Sequence, residues 1–272
     1  MTQVESGTQV RMPTSKITRP QIVYTDTTRY KIAHARILHT RISIFASNGK
    51  PLFDAAHPLF GPNTAKNLRK LIRKHRDKLR EPNGHESAAF IALAYNSQDS
   101  NYHEEELTGV RYTASSAYFR VFEGHLYDGT TQKLFIAEPD FNEDGTIKMS
   151  AVSELEKRLA NGDKRVQVVN FSDLGDRVCP PNTPSELEKS SYIQAVYGKE
   201  GAYNLARVAD NRPKKIGRVW LPETPSAGQT EIRIAALVSY VGRLGVDGGS
   251  VELDWDSCAS GVFKNSGEAQ VK

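Results

Sequence analysis

Residues 63–81 have the sequence NTAKNLRKLIRKHRDKLRE, the strongest structural signal in the chain. Apolar positions recur there at i, i+3, i+4, i+7 and i+11, which aligns them in one stripe along an amphipathic helix. The stripe consists of Leu68, Leu71, Ile72, His75 and Leu79. The pattern predicts a basic helix over 63–81 that packs through this stripe on the rest of the fold.

Two further stripes of the same predicted helix are basic, with a single acid, Asp77, between Lys66 and Arg80. Like charges four residues apart repel by roughly a few tenths of a kcal/mol per pair, so a surface that needs only solubility would include glutamates. Cations without partners predict a polyanion, most simply a nucleic-acid backbone; the alternative is a solvated helix packed on a sheet. The predicted phosphate contacts are Lys66, Arg69, Lys70, Arg73, Lys74, Arg76, Lys78 and Arg80.

Outward from this helix the chain is rich in strand-like alternation. Strands are predicted within 22–47, 111–127, 133–137, 166–171, 216–221, 230–241 and 250–255. A second, short helix is predicted at 150–159, and the apolar run 87–95 is slightly more typical of a buried strand than of a helix. These patterns predict an α+β fold with a mostly antiparallel sheet or barrel.

Composition limits the organisation and the class of protein. With 38% hydrophobic and 25% charged residues and a net charge of +4, the chain is typical of a globular protein in a reducing cytoplasm. Two distant cysteines indicate neither a zinc site nor a disulfide framework, and no apolar run predicts a membrane span. We expect a mobile N-terminal arm at 1–20, one domain at 21–262 or two subdomains divided near 172–190, and a frayed tail at 263–272.

A second cluster of interest lies on the predicted strand 111–127. Tyr118, Arg120 and Phe122 fall on one face of that strand, with Arg111 before them. An exposed row of this kind could stack bases on its rings and pair a guanidinium with phosphate. The alternative, which the pattern favours, is that the phenylalanines belong to the core.

Residues 140–147 (DFNEDGTI) match the opening of a calcium-binding EF-hand loop. The twelfth position should be a bidentate glutamate and is Ala151, so an ordinary Asp-Gly turn is the better interpretation. The chain lacks the G-x-x-x-x-G-K-[ST], H-E-x-x-H and G-x-S-x-G motifs. We therefore predict no metal, no cofactor and no enzymatic activity.

The region 203–256 resembles the final strands of phage-type single-stranded DNA-binding proteins. The residues that carry the resemblance are Arg212-Pro213 before a turn at Gly228, an alternating strand with a central Tyr240, and a glycine-rich turn. The resemblance implies an OB-like barrel, and that family also has an early lysine-rich helix. The chain departs from the family because it ends in GVFKNSGEAQVK rather than in a long acidic tail.

The sequence therefore predicts a non-enzymatic nucleic-acid-binding protein, with single strands favoured over duplex. The alternative is a viral or mobile-element structural protein, such as a capsid or tube subunit, which would form a homo-oligomer.

Overall fold

The computed structural model describes residues 21–22, 40–45, 51–57, 59–96, 118–175, 181–240, 243–250 and 257–264. The described helices are α1 (Ala65–Arg73), α2 (Gly84–Asn96), α3 (Val152–Ala160), α4 (Pro184–Lys189) and α5 (Ser191–Asp210). The strands are β1 (Gln21–Ile22), β2 (Thr40–Phe45), β3 (Pro51–His57), β4 (Phe60–Asn63), β5 (Leu79–Arg80), β6 (Tyr118–Asp128), β7 (Lys133–Ala137), β8 (Asp140–Phe141), β9 (Ile147–Lys148), β10 (Gln167–Asn170), β11 (Pro181–Asn182), β12 (Gly217–Trp220), β13 (Thr230–Tyr240), β14 (Arg243–Ser250), β15 (Ser257–Ala259) and β16 (Val262–Phe263).

The strands form a large sheet, a small sheet and a hairpin. The large sheet has the order β10-β7-β6-β13-β14-β12-β11, and β15 joins it by pairing with β6 and β4. The small sheet has the order β1-β2-β3-β16-β5, and β8 pairs with β9. The β12–β14 and β6–β15 pairs are parallel and the other pairs are antiparallel. The predicted α+β fold with mostly antiparallel sheets is confirmed, whereas the described strands form open sheets rather than an OB-like barrel.

Strand β6 is covered on both of its faces. Phe119, Val121 and Tyr127 belong to the main core, which also contains the apolar sides of α2 and α5. On the opposite face, Phe122 joins a second core cluster with α1, and Leu126 joins a third with α3. Because a strand alternates its side chains between two faces, the long β6 serves three clusters at once.

The predicted helix 63–81 is shorter in the structure. Helix α1 begins after the N-cap Thr64, whose side chain accepts from the backbone N–H of Asn67, and it ends at Arg73. Residues 74–78 form tight turns, and Leu79 then continues as strand β5, which pairs with β16. The helical pattern placed Leu68 and Leu79 on one stripe of a single helix. In the structure both residues do belong to one core cluster, but Leu79 reaches it because β5 pairs with a strand almost two hundred positions away.

The helices correct one other prediction and add one element. The run 87–95 lies in helix α2, not in a strand, and its buried residues pack against α5. Helix α5, which bends at Gly198 (φ 71°), has no counterpart among the predicted elements. The short helix predicted at 150–159 is confirmed as α3.

The predicted domain limits are only partly covered by the described residues. Residues 1–20, 23–39 and 265–272 lie outside them. Phe263 was assigned to the frayed tail but is buried in β16. The main core contains residues from both sides of 172–190, including Ile44 and Leu205. Across the described segments, every helix is too short or too polar for a bilayer-spanning segment.

Candidate nucleic-acid interface

Arg69, predicted as a phosphate contact, lies inside the protein. Its residue surface is 5% exposed. Its Nε donates to Glu81 Oε1 at 2.8 Å, and its terminal nitrogens donate to Glu138 and to the carbonyl oxygen of Pro139. The guanidinium also lies 5.4 Å from the centre of the Phe141 ring. Arg69 is therefore a buried cross-link in this structure and not a contact for a ligand.

Arg73 extends the same cross-link toward the surface. Its Nε donates to Glu81, and its Nη2 donates to Glu138 Oε1 at 3.2 Å, while half of the side chain stays exposed. Two arginines and two glutamates thus form a network without net charge. The pairs of Arg69 and Arg73 with Glu138 could not be predicted from the sequence, because Glu138 is more than sixty positions from α1.

Arg80 is neutralised by the start of the next helix. Its guanidinium donates both Nη1 and Nη2 to the carboxylate of Glu86, at 2.7 and 2.6 Å. Glu86 also accepts from the N–H of Asn83, and Asn83 Oδ1 accepts from the N–H of Glu86. This reciprocal pair of hydrogen bonds caps the N-terminus of α2. Because Arg80 binds the carboxylate of the capping residue Glu86, it helps to hold the start of that helix in place.

One lysine of α1 has its hydrogen-bond partner in the β8–β9 hairpin. Lys66 donates its Nζ to the carbonyl oxygen of Glu143 in the hairpin turn. Asp144 accepts from the N–H and the hydroxyl of Thr146, and these hydrogen bonds lower the pKa of Asp144. The turn predicted at 140–147 is present, with Gly145 at φ 98°. Within the described segments, no three His, Cys, Asp or Glu side chains are grouped closely enough for a metal site.

The remaining cations define a smaller surface, which we call the basic groove. Lys70, Lys74, Arg76 and Lys78 are exposed. Among the described residues, no acid pairs with Lys70, Lys74 or Arg76. Arg76 also lines a cavity of about 530 Å³, whose full lining is Arg73, Arg76, Leu79, Arg80, Glu81 and Lys264. Four cations and one acid therefore face this cavity.

The C-terminal strand completes the groove. Lys264 donates its N–H to the carbonyl oxygen of Lys78 at 2.8 Å and its Nζ to that of Arg76. Its position depends on β16 pairing with β5. Sequence reasoning missed Lys264 because nothing near it in the chain indicates that it lies beside 76–80.

The prediction of an exposed row on β6 is wrong for the residues that the structure describes. Arg120 is fully buried and donates its Nη2 to the hydroxyl of Ser257 at 2.8 Å, and Phe122 is 3% exposed. Tyr118 is half-buried at the start of the strand. Strand β6 is central in its sheet and covered on both faces. Its side chains therefore alternate between two buried faces rather than between a buried and an exposed face. Arg111 lies outside the described residues.

A buried polar cluster lies between β6 and α5. His125 Nδ1 is 3.1 Å from the carbonyl oxygen of Gly248, which also accepts from the hydroxyl of Tyr127 at 3.0 Å. Burial lowers the pKa of His125 to about 4, against the smaller opposing effect of the Gly248 contact. Burial raises the pKa of Tyr192, whose ring meets His125 edge to face. His125 is therefore neutral at pH 7.

Glu123, two residues before His125, has the opposite shift. Burial of its carboxylate raises its pKa to about 7, although the N–H of Gly84, at 3.1 Å, partly opposes this. The nearby charges of Glu138 and Glu86 raise it further. A carboxyl that is half-protonated near neutral pH was not indicated by the sequence, since its cause is the covering helix α2.

Among solved structures, one has an architecture similar to that of this chain. A structure described as the accommodation of massive sequence variation in Nanoarchaeota by the C-type lectin fold matches 75% of this chain and 95% of its own. The TM-score is 0.50 and the sequence identity 12%.

The fold resembles the C-type lectin fold.

At this identity the likeness concerns the fold alone, and it replaces the OB-like barrel that the resemblance of residues 203–256 implied. No protein-family model and no curated protein matches the sequence. A fold of this kind does not specify an activity, because function depends on the side chains placed on the scaffold. Any function of this chain therefore depends on the side chains that the scaffold presents.

Proposed function

We propose that this protein is a non-enzymatic nucleic-acid-binding protein that contacts phosphates through the basic groove. The observation that carries the proposal is the exposure of Lys70, Lys74 and Arg76, which have no acidic partner among the described residues. Of these three, Arg76 lines a cavity to which four cations contribute. Lysine and arginine that neutralise phosphates release condensed counterions, which supplies sequence-independent affinity. Single strands are the favoured form.

The contact set is smaller than the sequence predicts. Arg69 is committed to the core, and Arg73 and Arg80 are held by glutamates, although both also line the cavity. The primary contacts we propose are Lys70, Lys74, Arg76, Lys78 and Lys264. With few phosphates engaged, we expect weak binding at physiological salt and clear binding at low salt.

The test compares two triple variants with equal loss of charge. Lys70→Gln, Lys74→Gln and Arg76→Gln together remove three cations of the groove. Lys164→Gln, Lys199→Gln and Lys214→Gln remove three exposed cations elsewhere. Fluorescence anisotropy of a labelled poly-pyrimidine oligonucleotide over a salt series gives affinity and salt slope. Glutamine is used because reversal of charge at the end of α1 would also disturb the helix dipole.

We expect the groove variant to bind more weakly and to lose about 0.7 of salt slope per lost contact on a single strand, whereas the control variant follows the wild type. Equal weakening of both variants would show a net-charge effect and would contradict the groove. No binding by the wild type at low salt would reject the function itself. Light scattering then tests the structural alternative, a capsid or tube subunit, which requires large symmetric oligomers.

A further inference from the structure

A second cavity lies on the face of the large sheet that is opposite to α5. It has a volume of about 580 Å³, and strands β6, β12, β13 and β14 contribute to it. Its lining is Tyr118, Arg218, Trp220, Leu221, Pro222, Val238, Asp247 and Gly249. Along β12, Val219 packs against the main core, so Arg218 and Trp220 point to the other face.

The floor of this cavity is a tryptophan lying across a glycine. A Cβ atom on Gly245 would come within 2.4 Å of Trp220 Cζ3 and 2.5 Å of Val238 Cγ1. Any larger residue at 245 would therefore displace the indole from the sheet. Strand pairing sets Arg218 opposite Gly245 and Trp220 opposite Asp247, so Trp220 has a cation two residues before it on its own strand and an anion opposite it on β14.

The polar groups of the cavity offer both donors and an acceptor. Arg218 Nε is buried and has no hydrogen-bond partner within the described structure. Asp247 Oδ1 accepts from the N–H of Gly249 at 2.8 Å, which fixes the plane of its carboxylate. Arg218 as a whole is half-buried and lines the cavity, and the terminal nitrogens of a guanidinium are donors that can bind a ligand oxygen or ring nitrogen.

We propose that this cavity binds one nucleobase of a single strand, stacked on Trp220, with Arg218 donating to an acceptor of the base or to its phosphate and Asp247 accepting from an exocyclic amino group. This inference rests on the proposed function and names the part of the ligand that the second site recognises. Aromatic faces stack on any base, and an adjacent arginine strengthens such a site. The carboxylate adds selectivity, since adenine, cytosine and guanine carry an amino group and thymine and uracil do not.

Both sites lie on one side of the large sheet. The side chain of Tyr118 shares its strand face with Phe122, which contacts the cluster beneath α1. The basic groove would hold the backbone of a strand and the cavity one base. Duplex DNA, whose bases are paired and stacked, could use only the groove.

The test uses the fluorescence of Trp220. The chain has two tryptophans, so Trp255→Phe leaves Trp220 as the reporter. In this background we expect oligo-dC and oligo-dA to quench the emission, oligo-dT to quench it several-fold more weakly, and a duplex to leave it unchanged. Arg218→Gln should lower the affinity for oligo-dC by about 10-fold. Trp220→Leu is made in the chain that retains Trp255, and its affinity is measured by anisotropy. We expect it to bind oligo-dC about 5- to 100-fold more weakly. Tyr203→Leu, an aromatic change on α5, is the control.

The outcomes separate this inference from the proposed function. If the groove variant loses single-strand binding while Trp220→Leu and Arg218→Gln bind like the wild type, the cavity inference is overturned and the function stands. If the wild type binds no oligonucleotide, both fail. Unchanged emission despite binding measured by anisotropy would also overturn the cavity, because a base stacked on the indole must alter its emission.

Discussion

At the scale of single residues, a buried cation contributes to folding stability, whereas an exposed cation is available to a ligand. Arg69 and Lys70 are neighbours in the same basic run, yet the first is buried against Glu81 and Glu138 and the second is exposed. Removing one partner of a buried pair costs several kcal/mol, whereas an exposed lysine changes stability by about 0.5 kcal/mol or less. Changes at Arg69 therefore report on folding and not on binding.

The pH dependence of stability tests the two shifted groups of β6. Between pH 4.5 and about 7, folded Glu123 holds a proton that the unfolded chain releases, so its contribution to stability falls as pH rises. Between about pH 4 and 6.5, folded His125 stays neutral while the unfolded chain is protonated, so its contribution rises with pH. The two slopes oppose each other and nearly cancel between pH 4.5 and 6.5.

We expect Glu123→Gln to remove one of these slopes and reveal the other. Its free energy of unfolding relative to wild type should rise with pH by up to about 1.4 kcal/mol per unit in that window. His125→Phe should show the reverse trend. Urea unfolding at several pH values gives both curves, and parallel curves for Glu123→Gln and wild type would contradict the assignment. Glutamine keeps the acceptor for the N–H of Gly84, so the variant changes the charge and little else.

At the scale of elements, packing overrides local preference. Helix α1 stops at Arg73 although the basic run continues, because Leu79 and Arg80 obtain backbone partners in β16. The run 87–95 is helical because it packs on α5, although its length suits a strand. The two helices approach each other closely at Gly84, where a Cβ would lie 2.0 Å from the carbonyl oxygen of Val196.

Gly84→Ala tests this approach with a clear sign. In an isolated helix alanine is more favourable than glycine by about 1 kcal/mol. Here we expect destabilisation of about 1–3 kcal/mol, because the backbone of α5 must move to admit the methyl group. Chemical denaturation measures the difference. Gly249→Ala is the matched control, since the nearest atom to its Cβ is 3.4 Å away, and a stabilised Gly84→Ala variant would refute the close contact.

At the scale of the whole molecule, the C-terminal strands join the two sheets. β15 pairs with β4 and β6 of the large sheet, and β16 pairs with β3 and β5 of the small sheet. Both strands are buried along their length. They also supply Ala259 and Phe263 to the cluster that holds α1 in place.

Truncation after residue 256 should therefore abolish the native fold, while truncation after Lys264 should retain it. The first change removes the partners of four strands and exposes the apolar residues of the α1 cluster, such as Phe60 and Ile72. The second leaves all described elements intact. Near-ultraviolet circular dichroism and limited proteolysis distinguish the outcomes. A shorter chain with native spectra would show that β15 and β16 are dispensable.

Much of the architecture could be predicted from periodicity, and much of the candidate site could not. The alternation of β13 and the apolar stripe of Leu68 and Ile72 are local signals, so the α+β class and the position of α1 follow from them. The pairing of Arg69 with Glu138 is long-range, as is the contribution of Tyr118 and Trp220 to one cavity, and neither can be read from a single sequence. The pattern R-x-W in β12 has the same spacing as Y-x-R in β6 and is the signal that could have indicated the second cavity.

By itself, the sequence determined the class of fold, the concentration of cations in 63–81 and the turn at 140–147, because each depends on neighbouring residues and their period. Tertiary structure alone decided which of those cations are exposed, that β6 is buried on both faces, and that the described strands form open sheets in a fold that resembles the C-type lectin fold. The physical reason is that burial and charge pairing depend on partners supplied by distant segments. A run of eight cations therefore resolves into a buried cross-link, a helix-capping pair and a smaller basic groove.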